Sequence, residues 1–144
     1  MNDVLVSIVN HHHVDLLPAC LDSVLRSAQD VKLHAVVLDN ASSDGSADMV
    51  RCRYPAVELI AQTSPDGFSA NINTIIGPRV DEARYFLLLN DDACLDDGAL
   101  KTMVAFMDNC GGGQMALRVS NNGNSISGFF TFYSKGPKLS SHEM

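Results

Sequence analysis

The chain has 144 residues, 46% hydrophobic and 19% charged, which is ordinary for one folded domain and unlike a disordered or fibrous chain. A formal net charge of −7 argues against a broad electrostatic surface for nucleic acids or anionic membranes. No apolar run approaches the roughly 20 residues that cross a bilayer, and no signal peptide is recognisable, so we expect a cytoplasmic protein.

The first half of the chain alternates strand-like and helix-like segments, which is typical of a mainly parallel sheet covered by helices. Residues 4–9 form a β-branched run that predicts the first strand, and residues 33–39 predict the second. Between them lies a helical pattern, for which Asp15 is placed to act as the N-cap. The inward face of this helix is predicted to carry Leu17, Leu21, Val24 and Leu25.

The middle of the chain continues this alternation. Residues 42–54 predict a short helix opened by serine and aspartate caps, and residues 57–61 a third, shorter strand. A further helix is predicted for residues 68–76, which Gly77 and Pro78 should end.

The fourth strand is predicted at residues 85–89, and Asp96 or Asp97 should cap the helix after it. Its apolar stripe consists of Leu100, Met103, Val104 and Met107. Beyond Gly111, two more strands are predicted at 115–119 and 127–134, followed by a polar tail without a recognisable element.

Cysteines and a histidine triplet give no metal or redox signature. The four cysteines lie far apart without a CxxC pair, so we expect reduced, mostly buried thiols. Residues 11–13 are consecutive histidines, whose side chains point in different directions on a short loop. A solvated loop is therefore favoured over a metal site.

Polar side chains follow three of the four strands of the first half. In an open parallel sheet, ligands bind beyond the carboxyl ends of the strands, so these side chains should converge on one crevice. The alternative is that short polar residues simply end strands and start turns. The residues concerned are Asn10, Asp39, Asn40, Asn90, Asp91 and Asp92.

Carboxylates gathered at one crevice would repel a phosphate unless a divalent cation lay between them. Mg²⁺ or Mn²⁺ commonly bridges one or two carboxylates to a diphosphate, which is the role expected of Asp92. Asp39 is suited to accept hydrogen bonds from a pyrimidine ring N–H or from ribose hydroxyls. Asp44 could cap the following helix or reach the same nucleoside.

The segment "DGFSANIN" offers a second set of candidates. Gly67 permits a tight turn or a close approach of the backbone to a ligand. Asn71 and Asn73 could line the ligand crevice or face solvent from a helix.

Several enzyme classes lack their signatures here. The chain contains no GxGxxG, GxxxxGK[ST], HExxH or GxSxG pattern. Dinucleotide oxidoreductases, P-loop NTPases, zincins and α/β-hydrolases are therefore disfavoured.

Four segments together resemble the nucleotide-binding half of family 2 glycosyltransferases, in particular rhamnosyltransferase-like members. They are "VSIVNHHHVDLLPACLDSVL", "VVLDNASSDGSADMVR", "DGFSANIN" and "YFLLLNDDACLDDGALKTMVAFM". The resemblance covers residues 4–110 and implies a GT-A fold, an α/β, Rossmann-like, open, mainly parallel sheet flanked by helices on both faces. It implies an enzyme of cell-surface polysaccharide biosynthesis, at most peripheral to the inner face of the membrane.

The implied reaction transfers a sugar, with inversion, from a nucleotide diphosphate donor to a hydroxyl of a carbohydrate or lipid-linked acceptor. UDP or dTDP is the expected nucleotide and Mg²⁺ or Mn²⁺ the expected cofactor. Asp39 would match the nucleoside-binding acid and Asp44 its neighbour. Asn90, Asp91 and Asp92 would match the DxD motif, with Asp92 the metal ligand and Asp91 nearest the donor ribose or sugar. Asn90 departs from the family because it brings no charge, which weakens metal binding.

The resemblance also implies two halves. Residues 1–110 would bind the nucleotide sugar, and residues 111–144 would begin a truncated acceptor-binding half. Inverting members carry their general base in that later half, so no catalytic residue is assigned, and Glu143 in the polar tail is not a candidate.

Other functions remain as alternatives. One is a nucleotide-binding module without transferase activity, which would use the same binding residues. Another is a sugar-nucleotide pyrophosphorylase, which should have a Gly-rich, Arg-containing loop after its first strand, where this chain has "VNHHHVD". A receiver-like signalling domain would need paired acids after that strand.

Overall fold

A computed structural model describes residues 1–111 in full, together with the backbone of residues 114–121 and 124–134. The helices are α1 (Leu17–Arg26), α2 (Ser46–Arg53), α3 (Phe68–Ile76) and α4 (Ala99–Cys110), and a 3₁₀ turn (Gly77–Arg79) follows α3. The strands are β1 (Asn2–Asn10), β2 (Leu33–Asp39), β3 (Glu58–Ala61), β4 (Ala83–Asn90), β5 (Gln114–Asn121) and β6 (Asn124–Ser134).

All six strands belong to one sheet in the order β3-β2-β1-β4-β6-β5. Strands β1 to β4 run parallel, while β6 is antiparallel to both β4 and β5. The predicted α/β class with a mainly parallel sheet is confirmed, and so are the two strands predicted after Gly111. The polar tail, residues 135–144, lies outside the described residues.

Helices cover both faces of the sheet, as predicted. Side chains of α1, α2 and α4 pack against Val4, Val6 and Ile8 of β1 and their neighbours on one face. On the other face, Ile75 of α3 packs against Leu5 of β1. Each fully buried aliphatic side chain contributes roughly 1.5–3 kcal/mol, so these two apolar layers hold the strands in register.

Helix α1 buries Leu17, Leu21 and Val24, as predicted. The prediction for Leu25 is wrong, because this side chain is 36% exposed at the edge of the apolar stripe. The prediction that Asp15 caps the helix is also wrong. No side-chain hydrogen bond caps α1, and the chain instead enters the helix through backbone bonds from Leu17 and its neighbour to the carbonyl of His13.

Helix α4 buries Leu100, Met103 and Met107 of its predicted stripe, while Val104 is only half-buried, and its cap differs from the prediction. Gly98, with φ of 75°, is the N-cap residue, and neither Asp96 nor Asp97 caps through its side chain. The hydroxyl of Ser27, at the end of α1, accepts the N–H of Leu100 over 3.1 Å. Since the first N–H groups of a helix have no partner within it, a neighbouring helix supplies the cap here.

The four cysteines are free, as predicted, but most of them are not buried. Only Cys20 lies in the core, while Cys52, Cys94 and Cys110 are exposed. Burial raises the pKa of Cys20 to about 12, so its thiol stays protonated at neutral pH. No helix among the described residues is long and apolar enough to cross a membrane.

Candidate functional site

The ends of β1 and β2 bring two predicted site residues into contact. Asn10 lies opposite Asp39 in the parallel register, and its Nδ2 donates a hydrogen bond to Asp39 Oδ1 over 2.9 Å. The other Asp39 oxygen accepts the N–H of Ser42 over 3.1 Å. Because Asp39 is only 3% exposed, these bonds hold its carboxylate in one orientation.

Asn10 is fully buried, so in this conformation it orients Asp39 and presents no surface of its own. Its Oδ1 has no hydrogen-bond partner among the described residues, and the same is true of the side-chain oxygens of Gln62 and Asn71. A buried oxygen without a partner costs about 1–3 kcal/mol. These unpaired acceptors, near the ends of β1 and β3 and on α3, were not evident from the sequence.

Asp44 supports the start of α2 and the loop after β1. Its Oδ1 accepts the N–H of Ser46, the first helical residue, and its Oδ2 accepts the N–H of Val14, each over 3.0 Å. The N-cap itself is Gly45, with φ of 86°, so the serine caps predicted for this helix are wrong. Burial acts to raise the pKa of Asp44, but the hydrogen bonds from Ser46 and Val14 outweigh it and the net pKa is lowered. The Asp44 carboxylate therefore accepts a backbone N–H at the start of α2, as the capping interpretation requires.

The Asn40 side chain forms two hydrogen bonds with the backbone of the loop that precedes α3. Its Oδ1 accepts the N–H of Asp66 over 2.8 Å, and its Nδ2 donates to the Asp66 carbonyl over 3.1 Å. Gly67 follows as the N-cap of α3 with φ of −72°, and a Cβ added there would meet no atom within 4 Å. Among the described residues, neither the backbone conformation nor crowding at this turn requires a glycine.

Asn71 and Asn73 point to different surroundings, as two positions on one helix must. Asn71 is fully buried and donates to the Asp66 carbonyl over 3.3 Å, whereas Asn73 is exposed. Only Asn71 lies beside the loop at the strand ends.

The three histidines are exposed, as predicted, but they also connect the loops at the strand ends. His11 Nδ1 donates to the Asn40 carbonyl over 2.8 Å, and His12 Nδ1 accepts the N–H of Ser43 over 3.2 Å. His13 Nδ1 donates to Asp91 Oδ2 over 2.8 Å, from the loop after β1 to the loop after β4. That hydrogen bond and the Asp91 charge raise the pKa of His13. Sequence reasoning missed these contacts, since histidine spacing alone does not indicate a partner 78 residues away.

The residues of the acidic segment after β4 differ in their exposure to solvent. Asp91 is 8% exposed, whereas Asn90 and Asp92 are exposed, and no hydrogen bond or ion pair of the described residues involves the Asp92 carboxylate. Within the same part of the chain, no group of three or more His, Cys, Asp or Glu side chains could hold a metal ion. The described residues at this edge therefore do not enclose a cation by themselves, and any cation held by Asp92 would need further ligands.

The loops at this edge of the sheet carry no lysine or arginine. The segments concerned are 10–16, 40–45, 62–67 and 90–98. An anionic ligand here would meet carboxylates, amides and histidines, so its charge would have to be balanced by a cation or by imidazolium.

The family model for glycosyl transferase family 2 matches residues 3–129. No curated protein gives a significant match. Solved structures do. S. aureus TarS 1–349 superposes with a TM-score of 0.78 at 15% identity, over 92% of this chain and 47% of that chain.

Two liganded structures are also similar. S. aureus TarS 1–349 in complex with UDP gives a TM-score of 0.74 at 17% identity, over 88% of this chain and 38% of that one. The mannosyltransferase PcManGT from Pyrobaculum calidifontis, in complex with GDP-Man and Mn²⁺, gives 0.70 at 18% identity, over 93% of this chain and 46% of that one. The chain thus spans less than half of these structures. It has their GT-A fold, and it belongs to glycosyl transferase family 2.

Proposed function

We propose that residues 1–110 form the donor-binding part of a nucleotide-sugar glycosyltransferase. The observation that carries this proposal is the buried, oriented Asp39 carboxylate at the carboxyl edge of the sheet, in a chain of this family. Structures similar to this one hold UDP, UDP-GlcNAc or GDP-Man.

Asp39 is proposed to accept a hydrogen bond from the base or the ribose of the nucleotide. Its two oxygens already receive one bond each from Asn10 and Ser42, and each carboxylate oxygen can accept a second. Asn71, whose Oδ1 has no partner among the residues that the structure describes, and the backbone at Gly67 complete this proposed nucleoside site. Asp44 contributes indirectly, by fixing the loops on either side.

Asp92, assisted by Asn90, is proposed to hold Mg²⁺ or Mn²⁺ together with the donor diphosphate. The free, exposed carboxylate of Asp92 and the lack of lysine or arginine in the surrounding loops support this assignment, and PcManGT contains Mn²⁺. When bound, such a cation would neutralise charge that develops on the departing diphosphate. Asp91 is proposed to accept a hydrogen bond from the donor ribose or sugar.

The acceptor and the stereochemistry rest on the family resemblance alone. We propose an inverting transfer to a hydroxyl of a carbohydrate or lipid-linked acceptor in cell-surface polysaccharide synthesis. The general base is proposed to come from a part of the enzyme other than residues 1–110, because the inverting members that this chain resembles carry it in their acceptor-binding half.

Calorimetric titration of UDP, dTDP and GDP, with and without Mn²⁺, tests the donor site. We expect Mn²⁺-dependent binding of at least one nucleotide, which is lost in Asp92→Asn. Asp96→Asn is a matched control, because it neutralises an exposed acid in the same loop whose side chain caps nothing. Folded protein that binds no nucleotide under any condition would rule out the donor site. Binding without sugar transfer in the presence of acceptors would instead favour the nucleotide-binding module.

A further inference from the structure

We propose that His13 is a positioning residue that holds the carboxylate of Asp91 in the orientation needed for the nucleotide sugar. The inference rests on the proposed function, and it assigns a role to one histidine of the triplet, which the donor-site proposal leaves without one. Its basis is the hydrogen bond that joins the loop after β1 to the loop after β4.

The hydrogen bond from His13 matters for Asp91 because the Asp91 carboxylate is largely buried. The Asp91 side chain is 11% exposed, while the His13 side chain is 45% exposed. Among the described residues, His13 Nδ1 supplies the one hydrogen bond that the Asp91 carboxylate receives. A carboxylate so largely removed from water depends on such a bond for its orientation.

The loop that carries His13 is anchored on both sides. The backbone N–H of His12 donates to Ser42 Oγ over 2.9 Å, and the N–H of Val14 donates to Asp44 over 3.0 Å. His12 itself has φ of 57°, in the left-handed region that few non-glycine residues occupy. The imidazole is therefore presented by a fixed backbone, as expected for a group that orients another.

The contact gives the two adjacent acids different tasks. Asp91 Oδ2 accepts from His13, whereas its Oδ1 accepts no hydrogen bond from the described residues and is the less occupied oxygen for a ribose or sugar hydroxyl. Asp92 has no such partner among the described residues and remains free for a cation. Without His13, the Asp91 carboxylate could rotate and compete with Asp92 for that cation.

The test compares His13→Leu with His13→Asn, because the Nδ2 of asparagine lies about where Nδ1 of histidine does. Binding of UDP-GlcNAc and GDP-mannose is measured by calorimetry with Mn²⁺. We expect His13→Leu to weaken binding about tenfold, the effect of one hydrogen bond to a charged group. His13→Asn should recover most of this loss, and Asp15→Asn, an exposed acid of the same loop, should bind like the wild type.

A double-mutant cycle separates positioning from a general structural effect. In an Asp91→Ala background, which leaves no acceptor for His13 Nδ1, His13→Leu should cause little further loss, because the two residues act through one contact. Additive losses, wild-type affinity in His13→Leu, or equal losses in the leucine and asparagine variants would each overturn the inference.

Long-range ¹H–¹⁵N spectra of the ligand-free protein test the contact itself. We expect His13 to carry its proton on Nδ1, and its resonances to change in Asp91→Ala, where the acceptor is removed. If the contact is present but the wild type binds neither sugar nucleotide, the proposed function fails and the inference with it. If binding is normal and the spectra show no such contact, the inference alone fails.

Discussion

Asn10 Nδ2 lies 2.9 Å from Asp39 Oδ1, and both side chains are almost completely buried where β1 and β2 end. A carboxylate in this position receives its hydrogen bonds from one amide and one backbone N–H, and from no cationic side chain of the described residues. The same hydrogen bond therefore stabilises the ends of β1 and β2 and orients the Asp39 carboxylate of the candidate site.

Asn10→Leu should destabilise the protein by about 1–3 kcal/mol, because it leaves a buried carboxylate oxygen without its donor. Asn10→Asp should cost more at pH 7, since it places two buried carboxylates together, and less at acidic pH, where one is protonated. Urea denaturation at both pH values measures these effects. The exposed Asn73→Ala should stay within about 0.5 kcal/mol of the wild type, and an equally mild Asn10→Leu would contradict the role given to this pair.

Ser27→Ala should destabilise the protein by about 0.5–2 kcal/mol, the usual range for losing a helix cap. The reason is that Ser27 Oγ accepts the N–H of Leu100 in the first turn of α4. Thermal or urea unfolding measures the effect, and Ser69→Ala, an exposed serine of α3, is the control. A larger loss of stability in Asp96→Ala than in Ser27→Ala would show that Asp96, and not Ser27, caps α4.

Asp44 should contribute stability that depends on pH. Its pKa in the folded protein lies below the usual value of 3.8, so the contribution is complete above that value and is lost as the pH falls through the lowered pKa. Wild type and Asp44→Asn should therefore differ most in urea midpoint near neutral pH and converge in acid. Midpoints measured from pH 7 down to about pH 2 test this, because the contribution is lost only below the usual pKa, and a difference that stays constant over that whole range would contradict it.

Thiol reactivity should distinguish the core cysteine from the others. Because Cys20 is buried and its pKa is raised to about 12, only the three exposed cysteines should react with a thiol reagent at pH 8. All four should react in guanidinium chloride. Rapid modification of Cys20 in the native protein would show that α1 opens readily.

Gly67→Ala separates a structural from a ligand-binding reason for this glycine. With φ of −72° and no atom within 4 Å of an added Cβ, the substitution should leave stability unchanged or raise it by about 0.4–1 kcal/mol. Nucleotide binding with Mn²⁺ should fall if the ligand approaches this backbone closely. Destabilisation would mean that the loop is more crowded than the structure shows.

The alternation of strands and helices follows from the sequence, because hydrophobic periodicity reports directly on local backbone geometry. Residues 4–9, 33–39 and 85–89 are apolar runs that bury both faces of a parallel strand, which is why these strands were predictable. Helix starts were not, since α2 and α4 begin after glycines with positive φ, and since Ser27 supplies a cap from another helix.

For the candidate site, the sequence by itself determined that polar residues end neighbouring strands, because parallel strands place their carboxyl ends at one edge of the sheet. Only the tertiary structure decided which of these residues meet. It buried Asn10 against Asp39, joined His13 to Asp91, and left Asp92 exposed. The physical reason is that such contacts join residues 29 and 78 positions apart, and their geometry depends on how the loops pack once the sheet has formed.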